Sequence, residues 1–174
     1  MGRRAPGFAG VVTALALAAC APNPSPAPAH DLARADVPPD QCPAIGTATS
    51  PAGQALNALK NRATGPTDAQ INPAATLPAM LADGDDTGRF DQGQGAEIVG
   101  YVTKVEQGGH PETANCGNLT TLYTDTHITV GIDPGAADNQ TLIAELTPIW
   151  REAMQKQGID WRTETLQATL VATG

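Results

Sequence analysis

The chain has 174 residues, and its 18 acidic residues outnumber its 10 basic residues, which gives a formal net charge of −8 at pH 7. An acidic protein repels phosphate backbones, so this balance disfavours nucleic acid as a partner. Aromatic residues make up only 3% of the chain and charged residues 16%. The composition therefore predicts one domain of about 120 residues with a small core and modest stability.

The first 19 residues predict a bacterial lipoprotein signal peptide. Arg3 and Arg4 form a basic start, and residues 8–19 are all apolar, Gly or Thr. This run is shorter than the roughly 20 residues that a membrane span needs, and its length is typical of the apolar region of a signal peptide. Residues 17–20 read Leu-Ala-Ala-Cys, which resembles the lipobox of bacterial lipoproteins.

Cleavage before Cys20 and lipidation of its thiol predict a mature protein held at a membrane by a lipid anchor, with palmitate as an expected acyl group. We expect this protein in the cell envelope outside the cytoplasm, on either the periplasmic face or the cell surface. The loss of Arg3 and Arg4 with the signal peptide takes the formal charge from −8 to −10.

Residues 20–53 are predicted to form the lipidated cysteine and a Pro-rich tether, followed by a domain at residues 54–174. Four prolines at the start of the tether alternate with other residues, and they are Pro22, Pro24, Pro26 and Pro28. Such a stretch favours extended, polyproline-like conformations and cannot bury a core. We expect it to hold the domain away from the lipid surface.

Two cysteines, Cys42 and Cys116, remain once Cys20 is assigned to lipidation. The oxidising environment outside the cytoplasm favours a disulfide between them. The position of Cys42 in the predicted tether instead favours two free thiols. The sequence leaves both alternatives open.

Two helices are predicted from the same starting pattern, a hydroxyl residue followed by proline. Ser50-Pro51 begins the first helix and Thr147-Pro148 the second, because Ser and Thr are good N-caps and Pro suits the first helical position. The first helix ends before Gly65 and the second at Gly158. Residues 72–82 are limited to short turns by their two prolines.

Alternating apolar residues predict three strands, at residues 97–106, 126–132 and 141–146. Residues 166–171 predict either a fourth strand or a last short helix. Both faces of the first strand are partly apolar, which is typical of a central strand or a barrel strand, and its Tyr101 is expected in the core. We therefore predict a mostly β fold with helical additions (α+β), arranged as a small OB-like barrel.

A set of short segments between residues 56 and 161 forms a recognisable pattern. These segments are residues 56–62, 76–81, 84–86, 99–102, 108–109, 112–116, 125–128, 145–148 and 150–151. The pattern resembles a family of uncharacterised bacterial envelope proteins with an OB-like domain. The resemblance implies that fold and names no activity.

Members of this family usually continue with another strand-rich segment that contains aromatic residues and a further histidine. The present sequence ends at Gly174. The resemblance therefore implies either a domain in a shorter form or a C-terminally truncated one, in which the barrel would be incomplete.

Asp125 and His127 are the candidates for catalysis or metal binding, on the predicted second strand and on the face opposite Ile128. A histidine near a carboxylate can act as a general base or a metal ligand. The alternative is a strand histidine that bonds to backbone or solvent. Zinc takes three or four protein ligands, and the other histidines, His30 and His110, fall in the tether and in a turn.

Residues 83–94 can be aligned with the calcium loop of an EF-hand. The residues at positions one, three, five and nine are Asp83, Asp85, Thr87 and Asp91. Position twelve is Gln94, where the EF-hand has a bidentate Glu, and this change removes two ligand oxygens. The sequence therefore favours an acidic, solvated loop over a calcium site.

The leading hypothesis is a lipid-anchored envelope protein whose small domain binds a ligand or a protein partner without acting as an enzyme. The mature chain has two serines, Ser25 and Ser50, and both fall in the predicted tether, which excludes a Ser-based triad from the folded region. The first alternative is a metal-assisted hydrolase that uses His127 and Asp125. The second is a calcium-stabilised structural module. The sequence identifies no cofactor.

Overall fold

The computed structural model describes residues 36–109 and 111–173. The predicted signal peptide, the lipidation site Cys20 and the tether before residue 36 lie outside the described residues, and so do His30 and His110. Within the described part, no helix has the length and apolar character needed to cross a membrane.

Three strands form an antiparallel sheet with the order β1-β2-β3. They are β1 Tyr101–Gln107, β2 Thr126–Gly131 and β3 Thr141–Leu146. The second and third predicted strands are confirmed, whereas β1 begins four residues later than predicted. Tyr101 pairs with Gly131, the last residue of β2, so residues 97–100 have no strand residue opposite them. The expected alternation is also interrupted by a bulge between Val102 and Lys104.

Five α-helices accompany the sheet. They are α1 Pro51–Lys60, α2 Leu77–Leu81, α3 Asp86–Arg89, α4 Pro148–Gln155 and α5 Thr163–Thr173. The predicted starts of α1 and α4 are confirmed, because the hydroxyls of Ser50 and Thr147 accept bonds from the backbone amides of Gly53 and Trp150 at 3.1 and 3.3 Å. These bonds satisfy amides that have no partner within the first helical turn.

The predicted OB-like barrel is not confirmed. An OB-fold closes five strands into a barrel, whereas the described residues form one open sheet of three strands. Residues 166–171, one candidate for a further strand, belong to α5. The fold is a mixed α+β domain in which the helices contain more residues than the strands, so the description as mostly β is wrong.

The interior is small and unusually polar. Its buried apolar residues are Cys42, Ala75, Leu77, Val105, Ala114, Cys116 and Leu146. Its buried polar and charged residues are Asn57, Asn61, Asn115, Asn118, Thr124, Asp125, Thr126, Thr147, Arg151 and Thr163. Tyr101 is 54% exposed, so its expected place in the core is wrong. A core of this composition depends on hydrogen bonds, because each buried polar group needs a partner.

The folded part already includes residues that the sequence assigned to the tether. Val37 and Asn118 exchange two hydrogen bonds of 2.8 and 2.7 Å, between the Val37 backbone and the Asn118 amide. Cys42 and Cys116 are joined in a disulfide, so the disulfide alternative is confirmed. The segment from Asp36 onward is therefore bound to the domain, and the predicted boundary at residue 53 lies inside the folded part.

Candidate metal centre

The start of β2 presents Asp125 and His127 to the same side of the sheet. The two residues flank Thr126, and side chains alternate between the two faces along a strand. Glu145 on β3 is paired with His127 in the sheet register, so its side chain lies beside the imidazole. His127 Nε2 and Glu145 Oε1 are 3.6 Å apart.

Lys60 brings a cation into this cluster from the last residue of α1. Its Nζ lies 2.7 Å from Glu145 Oε2, 3.0 Å from Glu112 Oε2 and 3.4 Å from Asp125 Oδ2. Glu112 comes from the loop between β1 and β2. Four elements of the fold therefore converge on one cluster, which we call the Lys60 cluster: Lys60, Glu112, Asp125, His127 and Glu145.

Two atoms of the cluster are buried and accept or donate no hydrogen bond among the described residues. They are Nε2 of His127 and Oδ2 of Asp125. The other oxygen of Asp125, Oδ1, accepts a bond of 2.8 Å from the Asn115 amide. Each atom still faces a charged neighbour, because Lys60 Nζ lies 3.4 Å from Asp125 Oδ2 and Glu145 Oε1 lies 3.6 Å from His127 Nε2. The two atoms therefore retain hydrogen-bonding capacity that a further ligand could use.

Three members of the cluster could share one metal ion. Ligand atoms of Glu112, Asp125 and His127 all lie within 4.8 Å of one another, and no other such group of three His, Cys, Asp or Glu side chains occurs in the described part of the chain. An imidazole and two carboxylates are a ligand set that zinc and related ions accept.

The charges of the cluster shift the pKa values of its buried members. Burial is the largest cause that raises the pKa of Asp125, and the neighbouring charges of Glu112 and Glu145 raise it further, against the opposing effects of Asn115 and Lys60. Burial lowers the pKa of Lys60. The bonds of its ammonium to Glu145 and Glu112 outweigh this effect, so the pKa of Lys60 lies above its ordinary value. Lys60 therefore carries its positive charge at neutral pH.

Gly108, directly after β1, allows the chain to pass close to the cluster. Its amide donates a bond of 2.7 Å to the Asp125 carbonyl. A Cβ at this position would lie 2.9 Å from both Asp125 Cβ and His127 Nε2. These distances are shorter than any ordinary contact, so only glycine fits here. At Gly109, by contrast, a Cβ would lie within 4 Å of no described atom beyond its chain neighbours.

Arg151 of α4 holds the beginning of β2 from the opposite side. Its Nη1 donates to Thr126 Oγ1 at 3.0 Å, and its Nη2 donates to the carbonyls of Leu122 and Thr124 at 2.9 and 2.7 Å. Thr126 and Thr163 also share a hydroxyl bond of 2.7 Å. This network fixes the backbone on both sides of Asp125.

The loop that carries Glu112 and Asn115 is fixed by α1 and by the disulfide. Asn61 donates to the carbonyl of Ala114 at 2.8 Å, and Asn57 donates to Thr113 Oγ1 at 3.1 Å. Cys116 adopts a left-handed backbone with φ 55° and is bonded to Cys42. The polar side of α1 faces the loop, while the apolar Leu56 is 58% exposed.

The structure brings together the two residues that the sequence singled out, Asp125 and His127. It adds Lys60, Glu112 and Glu145, which the sequence analysis missed. The spacing of Asn57, Lys60 and Asn61 is the one signal available for Lys60, because it marks a polar side of a helix. Glu112 and Glu145 carry no comparable signal, since only the tertiary fold brings them to the site.

The predicted calcium ligands are not brought together. Asp85 caps α3 and accepts bonds of 3.1 and 2.6 Å from the amide and hydroxyl of Thr87. Asp91 accepts a bond of 2.7 Å from the amide of Gly93. A helix, α3, occupies the middle of the proposed loop, and Asp83 is exposed. Asp85 and Asp91 therefore bind groups two residues away in their own turns.

Comparisons with protein-family models, with curated proteins and with solved structures find no match to this chain.

Proposed function

We propose that this chain is a lipid-anchored envelope protein whose folded domain binds a divalent transition-metal ion. The ligands are Glu112, Asp125 and His127. The single observation that supports this proposal most is the grouping of one imidazole and two carboxylates with ligand atoms within 4.8 Å of one another, in which His127 Nε2 and Asp125 Oδ2 are buried without a hydrogen bond among the described residues. The basic start, the short apolar run and the lipobox-like Leu-Ala-Ala-Cys of residues 17–20 support the anchor at Cys20.

The ligand set favours zinc and similar ions over calcium and magnesium. Imidazole nitrogen suits Zn²⁺, Ni²⁺, Cu²⁺ and Fe²⁺, whereas Ca²⁺ and Mg²⁺ take oxygen ligands. Ca²⁺ also needs six to eight oxygens, and Glu112 and Asp125 offer four at most. We therefore expect the domain to bind Zn²⁺ and to ignore Ca²⁺.

Metal binding is tested by calorimetric titration of Zn²⁺ into the full chain, purified in detergent and treated with a chelator. We expect one equivalent to bind, and we expect His127→Ala to abolish that binding. His30→Ala is the matched control, because it removes the same side chain from the predicted tether. Equal binding by the His127→Ala and His30→Ala variants would contradict the proposal.

The anchor is tested separately in cells. Metabolic labelling with a fatty-acid analogue and membrane fractionation should mark the wild-type chain and leave Cys20→Ser unlabelled. A soluble, unlabelled wild-type chain would contradict the lipid anchor, whatever the outcome of the metal titration.

A metal-assisted hydrolase is the second candidate function. Three protein ligands are the number typical of catalytic zinc sites, in which a water completes the coordination. Hydrolysis of a chromogenic ester by the zinc-loaded chain, lost in His127→Ala, would support this candidate. Metal binding without turnover of ester substrates would favour a binding protein.

A further inference from the structure

We infer that Lys60 is a resident cation that gives up Glu112 and Asp125 when a metal ion binds, so that Lys60 sets the metal affinity of the site. This inference rests on the proposed function and concerns the regulation of that same site. It starts from the observation that Lys60 contacts two of the three carboxylate and imidazole side chains that would bind the metal, Glu112 and Asp125.

The contacts of Lys60 make simultaneous occupancy unfavourable. Its Nζ lies 3.0 Å from Glu112 and 3.4 Å from Asp125, two of the three residues whose ligand atoms lie within 4.8 Å of one another. A divalent ion on those carboxylates would sit within a few ångströms of the ammonium, where like charges repel strongly in a buried setting. Either the metal or Lys60 occupies these two carboxylates.

Lys60 is also the most movable member of the cluster. Its ammonium stands on a flexible four-carbon chain at the last residue of α1, and 20% of its side chain is exposed. Asp125 is fully buried between the Arg151 network and Gly108, and the Glu112 loop is fixed by the disulfide and α1. Metal entry therefore moves Lys60 rather than the ligands.

A place remains for Lys60 after that movement. Its shortest contact is 2.7 Å to Glu145 Oε2, and Glu145 is not one of the three grouped ligands. The side chain of Glu145 is also 37% exposed, so a lysine ammonium bonded to it lies near the solvent. The ammonium can move outward with Glu145 and release Glu112 and Asp125, which stay in place and bind the metal.

The replacement of Lys60 by a metal ion would have two effects. Lys60 would keep the metal-free site folded, and the site would select ions that bind imidazole. Three carboxylates that converge without a cation would repel one another, and Lys60 removes that repulsion. An ion that binds oxygen alone gains little by replacing an ammonium. An ion that also binds the His127 imidazole gains a ligand that Lys60 cannot use.

The test compares the Zn²⁺ affinity of full-length variants by calorimetric titration. Lys60→Met and Lys60→Gln should bind Zn²⁺ about ten-fold tighter or more, because a like charge beside the ion is removed. Lys60→Arg should bind no tighter than the wild type. Lys104→Met is the matched control, since Lys104 pairs with Glu106 on the same sheet and 61% of its side chain is exposed. Equal or weaker binding by both neutral Lys60 variants overturns the inference.

A second measurement uses the wild-type chain and avoids variants that fail to fold. Acetic anhydride labels exposed lysines, and mass spectrometry reports the rate for Lys60, Lys104 and Lys156 separately. Saturation with Zn²⁺ should raise the labelling rate of Lys60 and leave that of Lys104 unchanged. Zn²⁺ binding with unchanged labelling of Lys60 overturns the exchange. If neither the wild type nor any Lys60 variant binds Zn²⁺, the proposed function itself is wrong.

Discussion

The Arg151 guanidinium donates from Nη1 to Oγ1 of Thr126 at 3.0 Å, and this bond fixes the strand residue that separates Asp125 from His127. The side chain of Thr126 points to α4, so its two neighbours point to the Lys60 cluster. A buried arginine on one face of β2 thus orients the candidate metal ligands on the other face.

Replacement of Arg151 should be among the most damaging single changes in the domain. Arg151→Met removes the donors to Thr126 and to the carbonyls of Leu122 and Thr124. Thr126 keeps its bond to Thr163, but the carbonyl of the fully buried Thr124 loses its Arg151 donor. We expect a loss of about 3 kcal/mol in the free energy of unfolding, measured by urea denaturation. Arg162→Met is the control, because Arg162 pairs with Asp160 at the surface. Similar losses in the two variants would contradict the structural role of Arg151.

Gly108 and Gly109 provide a matched pair of substitutions. Gly108→Ala places a methyl group 2.9 Å from Asp125 Cβ and His127 Nε2, whereas Gly109→Ala meets no atom within 4 Å. We expect Gly108→Ala to cost about 1–3 kcal/mol of stability by overpacking and to weaken Zn²⁺ binding. Thermal unfolding and titration of both variants provide the check, and an unaffected Gly108→Ala protein would speak against the close approach.

The disulfide should contribute a large share of the stability. It closes a chain separation of 74 residues, for which loop-closure entropy predicts a contribution of about 4 kcal/mol. The variant Cys42→Ala with Cys116→Gly tests this, because glycine keeps the left-handed backbone at residue 116 without strain. Urea unfolding should show that loss, and Zn²⁺ affinity should fall because the Glu112 loop is released. A variant as stable as the wild type would refute this contribution.

The raised pKa of Asp125 predicts how stability changes with pH. The pKa of Asp125 is higher in the folded protein than its ordinary value of 3.8 in an unfolded chain. Such a carboxyl stabilises the folded state fully at pH values below 3.8. This stabilisation is lost as the pH rises through the pKa of the folded protein. Relative to Asp125→Asn, the wild-type protein should therefore become less stable between acidic and neutral pH. Paired urea titrations of the metal-free proteins from pH 3 to pH 7 measure this difference, and a constant difference would contradict the burial of a charged Asp125.

Much of the fold could be predicted where local signals and tertiary structure agree. The capping residues Ser50 and Thr147 begin α1 and α4, and the alternation in residues 141–146 matches β3. The OB-like barrel is not confirmed. Thr and Val favour strands, so the sequence left residues 166–171 open as a strand or a helix, and this segment packs as a helix against β1. A bond of 2.8 Å from Gln167 to the Val105 carbonyl is part of that packing.

The candidate site also contains some residues that the sequence could identify and others that it could not. Asp125 and His127 could be identified because they alternate along one strand, a relationship that the sequence contains. Lys60 and Glu112 are 52 residues apart and meet only through the packing of α1 on the disulfide-bonded loop. The burial of Asp125 depends on the packing of Arg151 and Gly108 around it and has no local signature.

The most direct test of the account is the ¹⁵N NMR signal of the His127 imidazole during a Zn²⁺ titration of the full chain. The protein has three histidines, so a ¹⁵N-histidine spectrum is simple and His127→Gln assigns the resonances. The account predicts that the Nε2 signal of His127 shifts and reaches its end point at one equivalent of Zn²⁺. A His127 signal that stays unchanged while Zn²⁺ is added would contradict the metal centre.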